Sequence, residues 1–356
     1  MIGVLEPGGA QLSMLRLARA QGALGVETTV VAGDATPLGV SLARNFGFEP
    51  VVFAAHESIE TAPRQWSPDE EFAAWLRPLL RESDLVHGHM FGAWWAAATA
   101  APAGVPVVAS EHNVMSWPLA DHTPVAAAAA SRLGAFFAHG PAATDFAVRI
   151  GVPVDRVRPG RSAVSFHATP RPGLSSPRLT FTGRLREDKG PDLLVQALAQ
   201  MSRPPTSYLV GDGPMRPALH RMVERLGLGA VVHLPGWSFE PARYVAGSSV
   251  HVVPSREEAW SQSAVTALGL GVAVVATAVE GLPTTLGDGR GVLVLPESPR
   301  ALAEAITGVL AGDLEVDREA GRRYAAEFDP DGVAADYYRC YEAVLRGSPA
   351  ARTLAG

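Results

Sequence analysis

Short apolar runs rich in β-branched residues alternate with helical stretches along nearly the whole chain, and the alternation is interrupted once. The first series has strand-like runs at 1–5, 26–32, 51–54, 84–89, 106–110, 133–138 and 157–163, with helical stretches such as 12–24, 37–46, 72–80, 93–101 and 141–150 between them. The second has strands at 179–182, 207–210, 231–234, 250–253, 272–277 and 291–294, separated by helical patterns. Alternation of this kind implies mostly parallel sheets covered by helices on both faces, the α/β doubly wound class. Residues 166–177 carry three prolines, a glycine and two serines with little periodicity, and read as a linker. The expected organisation is therefore two Rossmann-like domains, 1–165 and 178–330, facing an interdomain cleft. An aromatic helix at 331–346 is expected to return to the first domain.

Composition narrows the partners. A length of 356 residues suits two cores, and a net charge of −6 argues against nucleic acid or a strongly anionic membrane as the main partner. Residues 1–165 contain 11 Arg against 15 Asp plus Glu, so no basic face is expected on the first domain. The single cysteine, Cys340, excludes an internal disulfide framework and a cysteine-based zinc site. The start has no basic segment followed by an apolar one, and no apolar stretch is long enough to span a bilayer, so the expected location is cytoplasmic. The first strand is short, which leaves room for a few residues ahead of Met1.

The positive charges are distributed unevenly by type. Among 30 basic residues, 29 are arginine and one, Lys189, is lysine. An ammonium is a compact point charge with rotatable donors, which a planar guanidinium is not. Chance placement is the competing account, but Lys189 lies in Gly183-Arg184-Leu185-Arg186-Glu187-Asp188-Lys189-Gly190, between a strand and a helix opened by Pro191. Cations on a strand-to-helix turn suit a phosphate. Gly211-Asp212-Gly213-Pro214 follows the next strand, and Ser261-Gln262-Ser263 opens a helix after Glu257-Glu258, adding backbone donors for an anion. Two cations plus a helix terminus fit a diphosphate, and one stabilised in this way is a good leaving group. In the first half, Pro7-Gly8-Gly9-Ala10-Gln11 is a glycine turn without the three-glycine dinucleotide spacing, which argues against a dehydrogenase. His87-Gly88-His89 and Glu111-His112-Asn113 end two strands, where open α/β sheets place ligands.

Together these pieces resemble the retaining glycosyltransferases of family 4, which have the GT-B fold. The resemblance runs through Gly183-Arg184, Lys189-Gly190, Val210-Gly211-Asp212-Gly213-Pro214 and Leu234-Pro235-Gly236-Trp237. It continues through Val253-Pro254-Ser255-Arg256-Glu257-Glu258, residues 271–277 and Glu280-Gly281-Leu282-Pro283. It implies that Arg184 and Lys189 hold the donor diphosphate, with Gly183, Gly211 and the amides of Ser261, Gln262 and Ser263 around it. Glu258 would contact sugar hydroxyls, and Gly236 with Trp237 would border the base. Gly8 and Gly9 would let the first domain close over the phosphate, and His89 would lie by the anomeric centre. The implied reaction moves a sugar from a UDP-, GDP- or dTDP-linked donor with retention, without cofactor or metal.

One position departs from the family pattern. Its second glutamate, eight residues after Glu258, is Thr266 here, where ribose hydroxyls are normally held. Weaker donor binding, a donor lacking the 2′-hydroxyl and loss of activity are the alternatives. The acceptor is expected to be a soluble small molecule, contacted by Gln11, Glu111, His112 or Asn113. Two rival functions remain: a sugar-nucleotide-binding subunit with little activity of its own, and a nucleotide-sugar epimerase. His87, Trp94 and Trp95 are read as structural, and Arg16 and Arg19 as a solvated helix face.

Overall fold

The computed structural model describes residues 1–57, 67–112, 119–174 and 178–347. The chain divides into two compact units, Met1–Ala163 with Pro330–Gly356, and Val164–Asp329.

In chain order the first unit runs β1 (Ile2–Leu5), α1 (Gly9–Gly22), β2 (Val31–Ala35), α2 (Pro37–Asn45), β3 (Val51–Ala55), α3 (Glu70–Leu79) and β4 (Val86–His89). It continues with α4 (Phe91–Ala100), β5 (Val107–Glu111), α5 (Leu119–Ala130), β6 (Leu133–Ala138), α6 (Pro141–Arg149) and β7 (Val157–Pro159). Among the described residues these strands form one parallel sheet in the order β3-β2-β1-β4-β5-β6-β7. The order reverses direction between β1 and β4, and open α/β sheets bind ligands at the carboxyl ends of the strands on either side of such a point.

Helix α4 is almost entirely buried, which is why its sequence is alanine and tryptophan with no polar stripe. Gly88 permits its close approach, because a Cβ there would overlap the Trp94 backbone. Trp94 and Trp95 are core residues, and the Trp94 indole Nε1 donates to Glu111 Oε2 at 3.1 Å.

The second unit runs β8 (Arg178–Thr182), α7 (Pro191–Gln200), β9 (Thr206–Val210), α8 (Arg216–Arg225), β10 (Val232–Gly236), α9 (Ala242–Val245) and β11 (Val250–Val253). Then follow α10 (Gln262–Gly269), β12 (Ala273–Thr277), α11 (Leu282–Leu286), β13 (Val292–Val294), α12 (Pro299–Ala311) and α13 (Arg318–Ala326). Its parallel sheet has the order β10-β9-β8-β11-β12-β13, with the reversal between β8 and β11. Helix α14 (Pro330–Gly347) belongs to the first unit, where Tyr337 and Tyr341 are buried against Phe137 and Val108.

Several boundaries differ from the pattern reading. The second strand begins at Val31 rather than at 26, because 26–30 form no ladder, and the last strand of the first unit stops at Pro159. Phe166 packs into the core of the second unit beside Gly269, so the segment read as a linker is anchored at its start. Arg16 is not solvated. It is pressed into the fold, its guanidinium donates to the Ala163 carbonyl at 3.3 Å, and burial lowers its pKa to about 10. Arg19 is exposed and sits 6.0 Å from the Phe46 ring. Trp66 and Asn113 lie outside the described residues.

The loops at the carboxyl edge of β8, β9 and β10 are laced together by backbone bonds: Gly183 N to Val210 O, Leu185 N to Asp212 O, and Gly211 N to Gly236 O. Gly211 has φ 147°, and a Cβ on it would overlap the Gly183 carbonyl oxygen. Gly211→Ala is therefore expected to destabilise the second unit by on the order of 2–4 kcal/mol in a denaturant titration. Gly229→Ala, with open space around it, should leave the midpoint within experimental error. Equal midpoints for the two variants would count against the lacing.

Candidate active site

The loops after β8 and β11, the two strands at the switch point of the second sheet, bring the lone lysine to a carboxylate. Lys189 Nζ donates to Glu258 Oε2 at 3.0 Å, reaches the Glu257 carbonyl at 3.5 Å, and lies 3.8 Å from Asp188 Oδ2. Both partners are largely covered, with side-chain exposures of 26% and 11%. Burial raises the Glu258 carboxyl above its ordinary range, while Lys189 and then Ser255, whose Oγ donates at 3.3 Å, pull it back.

The backbone fixes where the two groups start. Gly190 caps α7 with φ 61°, and a Cβ there would overlap the Pro254 carbonyl, so the loops after β8 and β11 touch backbone to backbone. Glu258 N donates to Glu280 Oε2 at 2.8 Å, and Glu280 itself has a positive φ of 40°. Strain of this kind in a non-glycine residue concentrates at functional sites.

Three residues that sequence reasoning did not single out hold this corner. Arg256 makes a two-pronged bond to Asp192, 2.8 Å on each oxygen, and meets Glu297 at 2.7 Å. Asp192 and then Glu297 raise the Arg256 guanidinium above its ordinary pKa, while burial raises the Asp192 carboxyl and Arg256 outweighs it to hold that group below its usual range. The Arg256 and Glu257 amides both donate to the Asp188 carbonyl. Asp192 lies 64 residues from Arg256, so no spacing rule pairs them.

Helix α10 begins just after Glu258. Ser261 caps α10, its Oγ accepting from Ala264 N at 3.2 Å and touching Ser263 Oγ at 3.1 Å. Gln262 and Ser263 form the first turn of this helix, whose N-terminus is the end where an anion is favoured. Thr266 sits one turn further on the same helix, partly exposed. Arg184 is partly buried in the β8 loop. At the edge of the same sheet, Gly236 has φ 86°, and the Trp237 indole Nε1 is buried without an acceptor among the described residues.

In the first unit the switch point holds a cluster of imidazoles. His89 ends β4, His112 follows β5, and His139 follows β6, so three adjacent strands deliver a histidine to one edge. His89 Nδ1 lies 3.1 Å from His112 Nε2, and His112 packs against His139 with ring centroids 3.9 Å apart and planes tilted by 33°. His139 was not anticipated, although the strand-end position it shares with His89 and His112 is visible in the sequence. His87, on the same strand face as His89, bonds Tyr341 and Ser110. Met90, directly after His89, has φ 69°, a second strained non-glycine residue beside a candidate site residue.

Two acceptor candidates face inward instead. The Gln11 amide donates to the Val4 carbonyl at 2.8 Å, and Glu111 is fully buried under Trp94. Gly8 takes an extended φ of −164° and caps α1 without a side chain. No group of three or more His, Cys, Asp or Glu able to hold a metal occurs among the described residues, and none of their helices is long and apolar enough to cross a membrane. The first unit also has a basic face that the sequence count concealed. Arg132, Arg156, Arg158, Arg161 and Arg339 line a groove of about 800 Å³ against β6 and α14, with Asp155 and Asp336 as its acids.

Two doubly wound sheets, each with polar groups gathered at its switch point, are the architecture of GT-B glycosyltransferases, and solved structures of that fold superimpose on the whole chain. HepE of Anabaena, in complex with UDP and glucose, aligns with a TM-score of 0.73 at 18% identity, covering 96% of this chain and all of its own. Sucrose-phosphate synthase from Thermosynechococcus elongatus aligns at 0.74 and 21%, covering 98% of this chain and 96% of its own. Residues 7–160 match the family described as Glycosyltransferase Family 4, and 176–312 match Glycosyl transferases group 1. A protein named D-inositol 3-phosphate glycosyltransferase from Streptomyces griseus is 30% identical over 96% of this chain and 86% of its own length. Another, from Catenulispora acidiphila, is 35% identical over 46% of this chain, and a third, from Xylanimonas cellulosilytica, 34% over 50%. The matches span less than half the length of those last two relatives, 42% and 45%. The chain belongs to glycosyltransferase family 4.

The buried imidazoles make acid stability a direct test of the cluster. Burial holds His87, His89, His112 and His139 below the usual imidazole pKa, His112 down to about 3. In the unfolded chain each returns to about 6.5. Below that value the unfolded state takes up protons that the folded state refuses. The neutral cluster is therefore fully stabilising above about pH 6.5 and loses ground as pH falls towards 3, by up to about 1.4 kcal/mol per pH unit for each ring. Urea unfolding followed at His and Tyr signals of the first unit should show a flat midpoint between about pH 7 and 8 and a steep fall between about 6 and 4. A midpoint independent of pH across the lower window would contradict the burial of neutral rings.

Proposed function

We propose that the protein is a retaining glycosyltransferase that transfers a sugar from a nucleotide diphosphate sugar to a hydroxyl of a soluble small acceptor, without a metal or cofactor. The observation that carries the reading is the Lys189–Glu258 pair beside the α10 N-terminus in the second unit. An ammonium aimed by a carboxylate, next to backbone donors, meets the negative charge that grows on a departing diphosphate. Glu258, adjoining that cation, is suited to the sugar hydroxyls, and Arg184 adds a second positive charge from the same loop as Lys189. The orphaned indole N–H of Trp237 beside Gly236 offers a donor for the base. In the first unit we assign His89 to the transferred sugar, and His112 joins it through the 3.1 Å contact. The names of the sequence relatives point to a phosphorylated cyclitol as the acceptor class, which agrees with a small soluble molecule.

Donor binding and turnover test this reading together. Nucleotide diphosphate sugars, screened with chelator present, should raise the melting temperature of the wild-type chain. Turnover with inositol 3-phosphate as the first acceptor to try should fall by roughly two to three orders of magnitude in Lys189→Ala. Lys189→Arg should fall nearly as far, because the fork cannot reproduce the point charge. Wild-type rates in both variants would sink the assignment. A loss of all turnover on adding chelator would refute the metal-free mechanism.

Thr266 bears on the nucleotide. A threonine hydroxyl offers one short, uncharged contact where a carboxylate accepts two ribose hydroxyls, so the chain should discriminate weakly between ribo- and deoxyribonucleotide donors. Thr266→Glu should shift kcat/KM towards the ribonucleotide by about tenfold, the scale of one charge-assisted bond. An unchanged ratio would place Thr266 away from the ribose.

A further inference from the structure

Helix α14 is the last element of the first unit, far in sequence from the strands it covers. Tyr337 and Tyr341 lie one turn apart on its buried face. Their hydroxyls reach two different histidines. Tyr341 Oη lies 2.5 Å from His87 Nδ1, and Tyr337 Oη lies 3.2 Å from His139 Nε2. Those two rings flank the His89–His112 pair: His87 packs on His89 with centroids 4.1 Å apart, and His139 packs on His112 at 3.9 Å. Tyr337 also stacks on Phe137 at 3.8 Å, nearly parallel, which fixes its own ring.

The bonds have a defined direction. The Tyr337 hydroxyl donates to the Arg161 carbonyl at 3.4 Å, and a carbonyl can only accept. Towards His139 the same hydroxyl therefore accepts, so His139 carries its proton on Nε2, and its Nδ1 accepts from Ser162 Oγ at 3.4 Å. At His87 the two ring nitrogens have different partners, Tyr341 Oη at Nδ1 and Ser110 Oγ 2.8 Å from Nε2, so whichever nitrogen carries the proton donates and the other accepts. The Arg161 carbonyl thus sets the polarity at His139, while the Tyr341 and Ser110 hydroxyls hold the His87 ring from both sides.

We propose that Tyr337 and Tyr341 are positioning residues for the His89–His112 pair, fixing the tautomer and plane of the two imidazoles, His87 and His139, on which that pair rests. The proposal rests on the assignment of His89 to the transferred sugar. A single proton lies between His89 Nδ1 and His112 Nε2, and the ring that carries it decides whether His89 Nε2 is a donor or an acceptor. If the supporting rings turn over, that choice is no longer imposed. The C-terminal helix thereby acts as part of the site's framework, through two hydroxyl groups whose loss changes little in volume or packing.

The test uses the full chain with Tyr337→Phe, Tyr341→Phe and His89→Ala, each checked by circular dichroism and thermal melting. Long-range 1H–15N spectra of the histidines report tautomers directly. The expected result is that each Phe variant folds, changes the ring-nitrogen shifts of His89 or His112, and lowers kcat about ten- to hundredfold with the donor KM unchanged. Wild-type histidine spectra and wild-type kcat in both Phe variants would overturn the proposal, and so would a rise in KM alone. If the shifts change in the Phe variants while His89→Ala turns over like wild type, the positioning stands and the assignment of His89 falls. If one variant loses α14, the other still decides the matter, because each tyrosine holds a different histidine.

Discussion

The second unit is built around an ion pair that no single segment of the chain could make. Lys189 and Glu258 are 69 positions apart and meet because β8 and β11 are neighbours across the reversal of strand order. Every constraint nearby serves that meeting. Gly190 lets one loop lie against the Pro254 carbonyl of the other, the Arg256–Asp192 fork ties the β11 loop to the first turn of α7, and Glu280 bonds the Glu258 amide. Taking two charges partly out of water is costly unless their geometry is held, and here the holding comes from backbone contacts and a second ion pair. A site arranged before its ligand arrives loses little to reorganisation when charge develops there.

The first unit solves a similar problem with neutral groups. Three adjacent strands end in histidines, and their burial keeps the rings uncharged. Uncharged rings can pack closely, as His112 does against His139, where imidazolium ions would repel. Neutrality, however, leaves each ring two tautomers and two flips, so a neutral histidine cluster needs directional partners that a charged one would not. The tyrosines of α14, Ser110 and the Arg161 carbonyl supply them. This gives a role to the return of the last helix to a unit whose other elements end at Pro159, well before α14 begins at Pro330.

Much of the fold was legible because its signal is local. Apolar runs bounded by Gly and Pro gave the strands, and proline at the first turn marked α7 and α12. The motif around Lys189 was legible because each piece sits on one strand-end loop. The errors came where tertiary context decides. Arg16 reads as a surface residue by type, yet it is drawn inward by the Ala163 carbonyl. Gln11 and Glu111 read as site residues by position, yet the Val4 carbonyl and the Trp94 indole claim them. The five arginines of the α14 groove are scattered over some two hundred positions, so a count over residues 1–165 returned a net negative domain and hid them. His139 was visible in principle, being the third histidine at a strand end, but a lone Ala138-His139-Gly140 carries no motif.

The two cations at the heart of the second unit show why the chain keeps one lysine. Arg256 faces a carboxylate whose two oxygens lie in one plane at equal distance, 2.8 Å each, which is the geometry a guanidinium fork matches. Around Lys189 the oxygens are spread over three residues: Glu258 Oε2 at 3.0 Å, the Glu257 carbonyl at 3.5 Å and Asp188 Oδ2 at 3.8 Å. They belong to three different residues and lie at unequal distances, unlike the single carboxylate that Arg256 grips. An ammonium has three rotatable donors, so it can keep one on Glu258 and turn another towards an incoming anion. In a chain that otherwise writes positive charge as arginine, the lysine therefore stands where the acceptors around the cation come from three residues and not from the two oxygens of one carboxylate.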